Sequence, residues 1–391
     1  MPKVNPEIEA FARIKVLGVG GSGTNAVNHM IQEKVGGVEY ICMNTDTQDL
    51  HYSKADKKIH LGKNLTKGLG SGMNPDIGRQ AAEETKAEVQ EAIKGADMIF
   101  ISCGMGGGTG TGSAPVIARI TKEQQILTVG VVTKPFFFEG DQRGKIAEQG
   151  IEDLSKEVDA LIVIPNDNIL SASDKDTSFK EAFAMSDEVL RQAVEGISEL
   201  ITTPGVINID FADIKAIMTD AGATFMGIGV ASGENRAEEA ALKAINSPLL
   251  DISISGAKGV LFAVTGNEDL TMHEVQDVAK IITESINKDA RVIFGSIRDE
   301  NMKKGEMKVT VIATGFSPSE QKKSLFGKSS VSTESSRSNS SAPRPSNTVF
   351  EKMKARDTMP EDIIEEETLE EIDDDDENWS AVPAFLRRGK K

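Results

Sequence analysis

Five nearly continuous apolar runs, IKVLGV, VEYICMN, ADMIFISC, LTVGVVT and ALIVIPN, recur between residues 13 and 178, and they constrain the fold more than any other feature of the chain. A strand that is apolar at almost every position has no face to offer to water. It must be covered on both sides, which is the situation of a parallel sheet held between layers of helices. The intervening segments supply those helices: residues 76–96, DIGRQAAEETKAEVQEAIKGA, set Ile77, Ala81, Val89 and Ile93 on one helical stripe. Strand alternating with helix predicts a doubly wound, mostly parallel α/β nucleotide-binding domain over residues 13–178.

The pattern then changes. Residues 179–202, FKEAFAMSDEVLRQAVEGISELIT, repeat Phe179, Phe183, Val189, Leu190, Val194, Ile197 and Leu200 at helical spacing, and Thr202-Thr203-Pro204-Gly205 ends the pattern. We read residues 179–205 as one long connecting helix. Residues 206–316 interleave the strand-like runs TFMGIGVAS, GVLFAVTG, RVIFGSI and MKVTVIATGF with helical stretches at 234–245 and 273–286, giving a second, smaller α/β domain. Residues 317–377 are Ser-rich and then strongly acidic, and cannot bury enough surface to offset their ordering entropy, so a disordered linker is expected. Apolar residues return in the terminal NWSAVPAFLRRGKK (residues 378–391), with Val382, Phe385 and Leu386 on one helical face and basic residues behind. Such a peptide suits recognition in a groove by another protein.

Bulk charge narrows the function classes. A formal net charge of −17 opposes non-specific binding to nucleic acid or an anionic membrane, although it does not forbid one bound nucleotide. No uncharged apolar run approaches the roughly 18 residues needed to span a bilayer, and the first residues carry no apolar signal core. A cytoplasmic protein without direct membrane insertion is the expectation. Cys42 and Cys103 lie in apolar runs and read as small buried hydrophobes rather than a disulfide. His29, His51, His60 and His273 have neither metal-ligand nor catalytic spacing.

Chemistry concentrates in glycine loops. The first, GVGGSG (Gly18–Gly23), follows a strand and enters a helix, matching G-x-G-x-x-G, and Asp46 stands near the distance at which dinucleotide folds hold a ribose. Taken alone, it fits an NAD(P)-dependent oxidoreductase. The second loop argues otherwise. CGMGGGTGTGSAP holds six glycines from Gly104 to Gly112, again between a buried strand and a helix, with Ser113 as an expected cap and Pro115 in the expected first turn. Such a loop lets backbone N–H groups approach an anion, and the helix N-terminus adds positive potential. A third loop, GLGSGMNP, carries Gly70, Ser71 and Gly72. One pyrophosphate does not need three such loops; a triphosphate does. No G-x-x-x-x-G-K-[ST] occurs, so the phosphates would be held mostly by backbone.

With GGGTGTG (Gly106–Gly112), the motifs GVGGSGTNAV, NTD, KGLGSGMNP, TKPFFFEG, IPND, NIDFADI and the terminal PAFLRR resemble, in this order, the tubulin/FtsZ family of cell-division GTPases. The resemblance spans residues 14–316 and resumes in the last dozen. It implies GTP and GDP as ligands, with Mg2+ neutralising the phosphates. It sets Gly21, Ser22, Gly23, Thr24 and Asn25 along the phosphates and toward the base. It adds Gly70, Ser71 and Gly72 in the third loop and Gly106, Gly107, Gly108, Thr109 and Gly110 around the terminal phosphates. Glu139 and Arg143 are implied on the ribose side, Asn166 near the nucleoside, and Phe183 with Asp187 at the guanine.

The segment NIDFADI has a plain reading: Asp210 caps a helix and Asp213 lies in its acidic first turn. The resemblance instead implies that Asn208, Asp210 and Asp213 polarise the water attacking the γ-phosphate of a neighbouring subunit. It further implies a head-to-tail filament, a cytokinetic ring at mid-cell, and membrane-anchoring and regulatory division proteins binding residues 379–391. A filament that binds GTP without turnover remains a further alternative.

Overall fold

The computed structural model describes residues 12–171, 173, 177–203, 205–247, 254–299 and 302–316. The expected linker and terminal peptide, and the Pro204 expected to follow the long helix, lie outside the described residues.

The apolar runs become β1 (Ile14–Val19), β2 (Val38–Asn44), β4 (Met98–Gly104), β5 (Leu127–Lys134) and β6 (Ala160–Pro165), joined by the short β3 (Lys57–His60) and the two-residue β8 (Gly222–Ala223). They form one seven-stranded sheet in the order β3-β2-β1-β4-β5-β6-β8, parallel throughout. Chain direction across the sheet reverses between β1 and β4. In open α/β sheets that crevice, at the carboxyl ends of the strands, is where ligands bind.

Strand alternation is hidden inside the apolar runs. On one face Ile14, Val16, Tyr40, Cys42, Met98 and Phe100 pack with the helix Gly20–Gln32 and the helix Phe179–Thr202. On the other Leu17, Val19, Ile41, Met43, Ile99 and Ile101 meet the helices Pro75–Glu84, Lys86–Ile93, Thr109–Glu123 and Asp141–Ser155. Both faces are dry over most of the sheet, so nearly every strand position is apolar, with Lys15 and Glu39 at the start of β1 and β2 among the exceptions. Cys42 and Cys103 are fully buried, and burial pushes the Cys103 thiol up to about 12.

The second sheet runs β7-β11-β10-β12-β9, comprising β7 (Gly205–Ile207), β9 (Phe225–Ser232), β10 (Gly259–Gly266), β11 (Arg291–Arg298) and β12 (Glu306–Thr314). Its central pair β10–β11 is parallel and its other pairings are antiparallel. Val260, Phe262 and Val264 face the helices Arg236–Ile245 and Met272–Glu284, while Leu261 and Ala263 join the hydrophobic cluster of the first sheet and long helix.

Three helix boundaries differ from the sequence expectation. The long helix ends at Thr202, where Thr203 turns to extended backbone, and Gly205 opens β7 instead of closing the helix. The stripe at residues 76–96 is two helices, divided at Thr85, whose hydroxyl donates to the Ala81 carbonyl and accepts from the Gly62 amide. The helix after the second glycine loop begins at Thr109, so Ser113 is not its cap and Pro115 lies inside it. Ser113 instead donates its hydroxyl proton to the Gly78 carbonyl at 3.0 Å, tying this helix to Pro75–Glu84. Among the described residues no helix is long and apolar enough to cross a membrane.

Candidate functional site

A cavity of about 260 Å3 opens at the carboxyl ends of β1, β2 and β4, where all three glycine loops converge. The loops reach one place because their backbones nearly touch. Gly20 has φ +73°, in the left-handed region, and a Cβ there would lie 3.0 Å from the Gly110 amide nitrogen. A Cβ on Gly108 would come 2.3 Å from the Ser71 hydroxyl oxygen and 2.7 Å from the Asn74 nitrogen. Gly107 differs: nothing lies within 4 Å of its hypothetical Cβ, and it lines the open space.

Of the residues expected to bind, Gly21, Ser22, Asn25, Gly70, Ser71, Gly107, Gly108, Thr109, Gly110, Glu139, Arg143, Asn166, Phe183 and Asp187 line this cavity. Gly23, Thr24, Gly72 and Gly106 do not. Gly23 lets its helix lie against β4, since a Cβ there would sit 2.3 Å from the Ser102 carbonyl oxygen. Thr24 is buried behind the loop, and Gly72 takes up a turn at φ +58°. Gly106 turns at φ +95° and donates its amide to the Thr111 hydroxyl. Gly112, also in the glycine run, faces the helix Pro75–Glu84, where a Cβ would meet the Pro75 carbonyl oxygen at 1.9 Å.

Hydroxyls bind the loops together. Thr109 Oγ1 lies 2.6 Å from Thr45 Oγ1 and 2.9 Å from Ser71 Oγ, linking the end of β2, the second loop and the third. Three hydroxyl protons serve two internal bonds, so one proton of this chain is left to point outward. The Gly70 amide donates to the Thr45 carbonyl, and Asp46 bridges Leu69, so β2 also anchors the third loop.

The opposite end of the cavity is aromatic and carboxylate-bearing. Glu139 accepts from the Phe136 amide at 2.9 Å and pairs with Arg143 one helical turn on. Asn166, 5 % exposed, accepts the Ser186 hydroxyl at 2.9 Å and so fixes the end of β6 to the long helix. Phe183 meets Phe136 edge-on with ring centroids 5.2 Å apart, leaving Phe183 and Asp187 together on the cavity side of the helix. The Asp187 carboxyl touches the cavity but is otherwise enclosed by protein. Desolvation pushes it up to about 7 against an opposing pull from His29. His29 itself lies 3.0 Å from Glu188. Burial raises the Glu188 carboxyl, but hydrogen bonds from Arg191, His29 and Gln192 outweigh it and bring it to about 2. Nothing in the spacing of His29 along the chain points to this neighbourhood.

Asn208, Asp210 and Asp213 do not line the cavity. Asn208 accepts from the Gly205 amide at 2.6 Å; Asp210 accepts from the Ala212 amide at 3.1 Å and caps the helix Phe211–Met218. Asp213 stands in that helix's first turn, partly exposed.

Gly20 and Gly104, which belong to the first two glycine loops, also line the cavity, as do Val19, Asn44, Thr45, Asp49, Met73, Met105, Thr133 and Pro135, to which sequence reasoning assigns no binding role. Asp46, another lining residue, stands in the sequence near the position of a ribose-binding acid. The Asp46 carboxylate accepts from the Gln48 and Asp49 amides instead, capping a short helix. The positional signal for several of these was available, since each strand's last residues lie at the crevice.

Comparison with known proteins bears on the family. Residues 13–174 match the model described as "Tubulin/FtsZ family, GTPase domain", and residues 222–317 match "FtsZ family, C-terminal domain". An empty FtsZ dimer from M. jannaschii is 46 % identical over 79 % of this chain and 89 % of its own, with a TM-score of 0.75. A GDP-bound CetZ1 monomer from Haloferax volcanii is 22 % identical, covers 80 % of this chain and 97 % of its own, and superposes with a TM-score of 0.70, a likeness of fold. None of these matches favours an NAD(P)-dependent oxidoreductase.

Proposed function

The chain belongs to the tubulin/FtsZ family, and from that premise we propose that it binds GTP in the glycine-lined cavity and hydrolyses it at the contact between successive subunits of a filament. The polymer serves as the cytokinetic ring at a bacterial division site. One observation carries the reading: the cavity offers backbone amides and hydroxyls for phosphates but does not include Asn208, Asp210 or Asp213. If those residues polarise the attacking water, they do so for a nucleotide held by another copy. Head-to-tail contacts of this kind do not close on themselves and generate filaments. The FtsZ dimer among the similar structures agrees with self-association.

Phosphoryl transfer asks for positioning and charge stabilisation rather than a strong base, which suits a site made of amides, hydroxyls and a helix N-terminus. Guanine presents an N1–H and an exocyclic amine to an ionised Asp187, with Phe183 beside the ring. Mg2+ would be held chiefly by phosphate oxygens and water, because among the described residues no group of three or more metal-binding side chains is present; Asp46 and Asp49 are the carboxylates on the phosphate side. When bound, the ion neutralises phosphate charge. Residues 379–391 tether the filament to membrane-anchoring and regulatory division proteins, and the chain works in the cytoplasm beneath the membrane.

The deciding measurement is phosphate release per chain against protein concentration. A shared active site gives a threshold, and doping with Asp213→Ala protein, which should still bind GTP, depresses the rate of the mixture. Full turnover by a strictly monomeric preparation refutes hydrolysis between subunits. Sedimentable polymer without phosphate release would establish a binding-only filament.

A further inference from the structure

Asn44, the last residue of β2, is 2 % exposed and lines the cavity. Its side-chain Oδ1 accepts from the Asp46 amide at 3.2 Å, which fixes the orientation of the carboxamide. The other end, Nδ2, is buried and has no hydrogen-bond partner. A buried donor left unpaired forfeits its hydration without compensation, so native structures rarely keep one unless an acceptor arrives to take the hydrogen bond. Flipping the carboxamide is no remedy, because the Asp46 amide would then face a donor.

The neighbourhood identifies the acceptor. Asn44 precedes Thr45, whose hydroxyl lies 2.6 Å from that of Thr109, the first residue of the helix that follows the second glycine loop. The aromatic and carboxylate-bearing groups that suit a nucleoside come instead from the long helix and the segments after β5 and β6. An acceptor at the β2–β4 end is therefore a phosphoryl oxygen. Thr45, Ser71 and Thr109 already bring one spare hydroxyl proton to that end, and the Asn44 amide supplies another donor.

Resting on the GTP reading above, we propose that Asn44 Nδ2 donates to the terminal phosphoryl group of a bound nucleoside triphosphate and so discriminates triphosphate from diphosphate. The residue is a specificity determinant for the phosphate chain. Its own backbone neighbours hold it rigid, and the donor it offers gains a partner when the terminal phosphate is present.

The test measures GTP and GDP affinities by competition below the concentration of assembly, for the wild type and two variants of Asn44. Asn44→Asp keeps the acceptor for the Asp46 amide and replaces the donor with an anionic oxygen. Asn44→Leu, similar in shape, removes the donor without adding charge and serves if the aspartate variant does not fold. GTP affinity should fall roughly ten- to hundredfold in the leucine variant and further in the aspartate variant, with GDP affinity changed only severalfold. Unchanged GTP affinity overturns the proposal. Equal losses for GTP and GDP, which a merely structural role predicts, overturn it as well. Absence of GTP binding by the wild-type protein in the same assay would instead overturn the functional reading on which the inference rests.

Discussion

The two sheets treat their buried polar groups in opposite ways. In the five-stranded sheet's layer, the Arg236 side chain is 5 % exposed yet each of its nitrogens has a partner: it donates to both oxygens of Glu274, to the Asp269 carboxylate and to the Asp269 carbonyl. In the seven-stranded sheet the polar groups at the strand tips stay partly unanswered. Asn44 holds out a free donor, the Thr45–Thr109–Ser71 chain has a proton to spare, and Asp187 carries a desolvated carboxyl. A closed network is architecture, while an open one at the mouth of a cavity is a place for something else to bind.

That contrast can be attacked first through the glycines of the second loop, where the largest effect is expected. Gly112→Val forces side-chain atoms into the Pro75 carbonyl and should cost more than about 4 kcal/mol, abolishing a cooperative melt. Gly107→Ala meets nothing and should change stability by less than about 0.5 kcal/mol, yet weaken GTP about tenfold by occupying the ligand's space. Urea titration and nucleotide competition on both variants would tell; if their effects were reversed, the division between packing and binding glycines would be mistaken.

A smaller effect is expected at the answered network. Arg236→Ala strands two carboxylates that are partly screened by water, and should lower the urea-derived stability by about 2–3 kcal/mol. GTP affinity should stay within about twofold, a margin set by roughly 0.4 kcal/mol. A selective loss of nucleotide binding would erase the distinction between the sheets.

The subtlest effect is a slope. Folded Asp187 titrates near 7, against about 3.9 in an unfolded chain, so between those values the ligand-free fold keeps a proton that the unfolded chain has released. Its contribution to stability is complete below the unfolded value and is lost as pH rises through the folded one. Asp187→Asn should flatten that part of the stability profile. GTP affinity of the wild type should instead climb as pH rises through 7, because only the carboxylate accepts both guanine donors, and the asparagine variant should lack the climb. A wild-type profile that matches the variant's removes Asp187 from base recognition.

Much of the fold could be read directly. Runs such as ADMIFISC state their own burial, and the stripe Leu190, Val194, Ile197 is visible without coordinates. The losses have physical causes. β3 is KKIH, with one fully buried residue, and β8 is two residues long, so neither produces a pattern. The helix at Thr109 opens with TGTG, whose low helix propensity is overridden by packing against Pro75–Glu84. In the site, composition marks a glycine loop but cannot say which glycine faces ligand and which faces a neighbouring helix. Nor can sequence show that one amide proton of Asn44 lacks a partner, since that depends on what three separate strands and loops leave unoccupied.

The hydrophobic cluster that begins at Ile14 and Val16 runs through Leu190, Val194 and Ile197 to Leu261, Ala263, Ile297 and Ile312 without a break. Cutting the chain after the long helix would therefore strip apolar cover from both pieces rather than release two tidy halves. It also means that heat should melt the pair as one body, and that a nucleotide gripped at the far rim of one sheet should delay the collapse of the other by mass action alone.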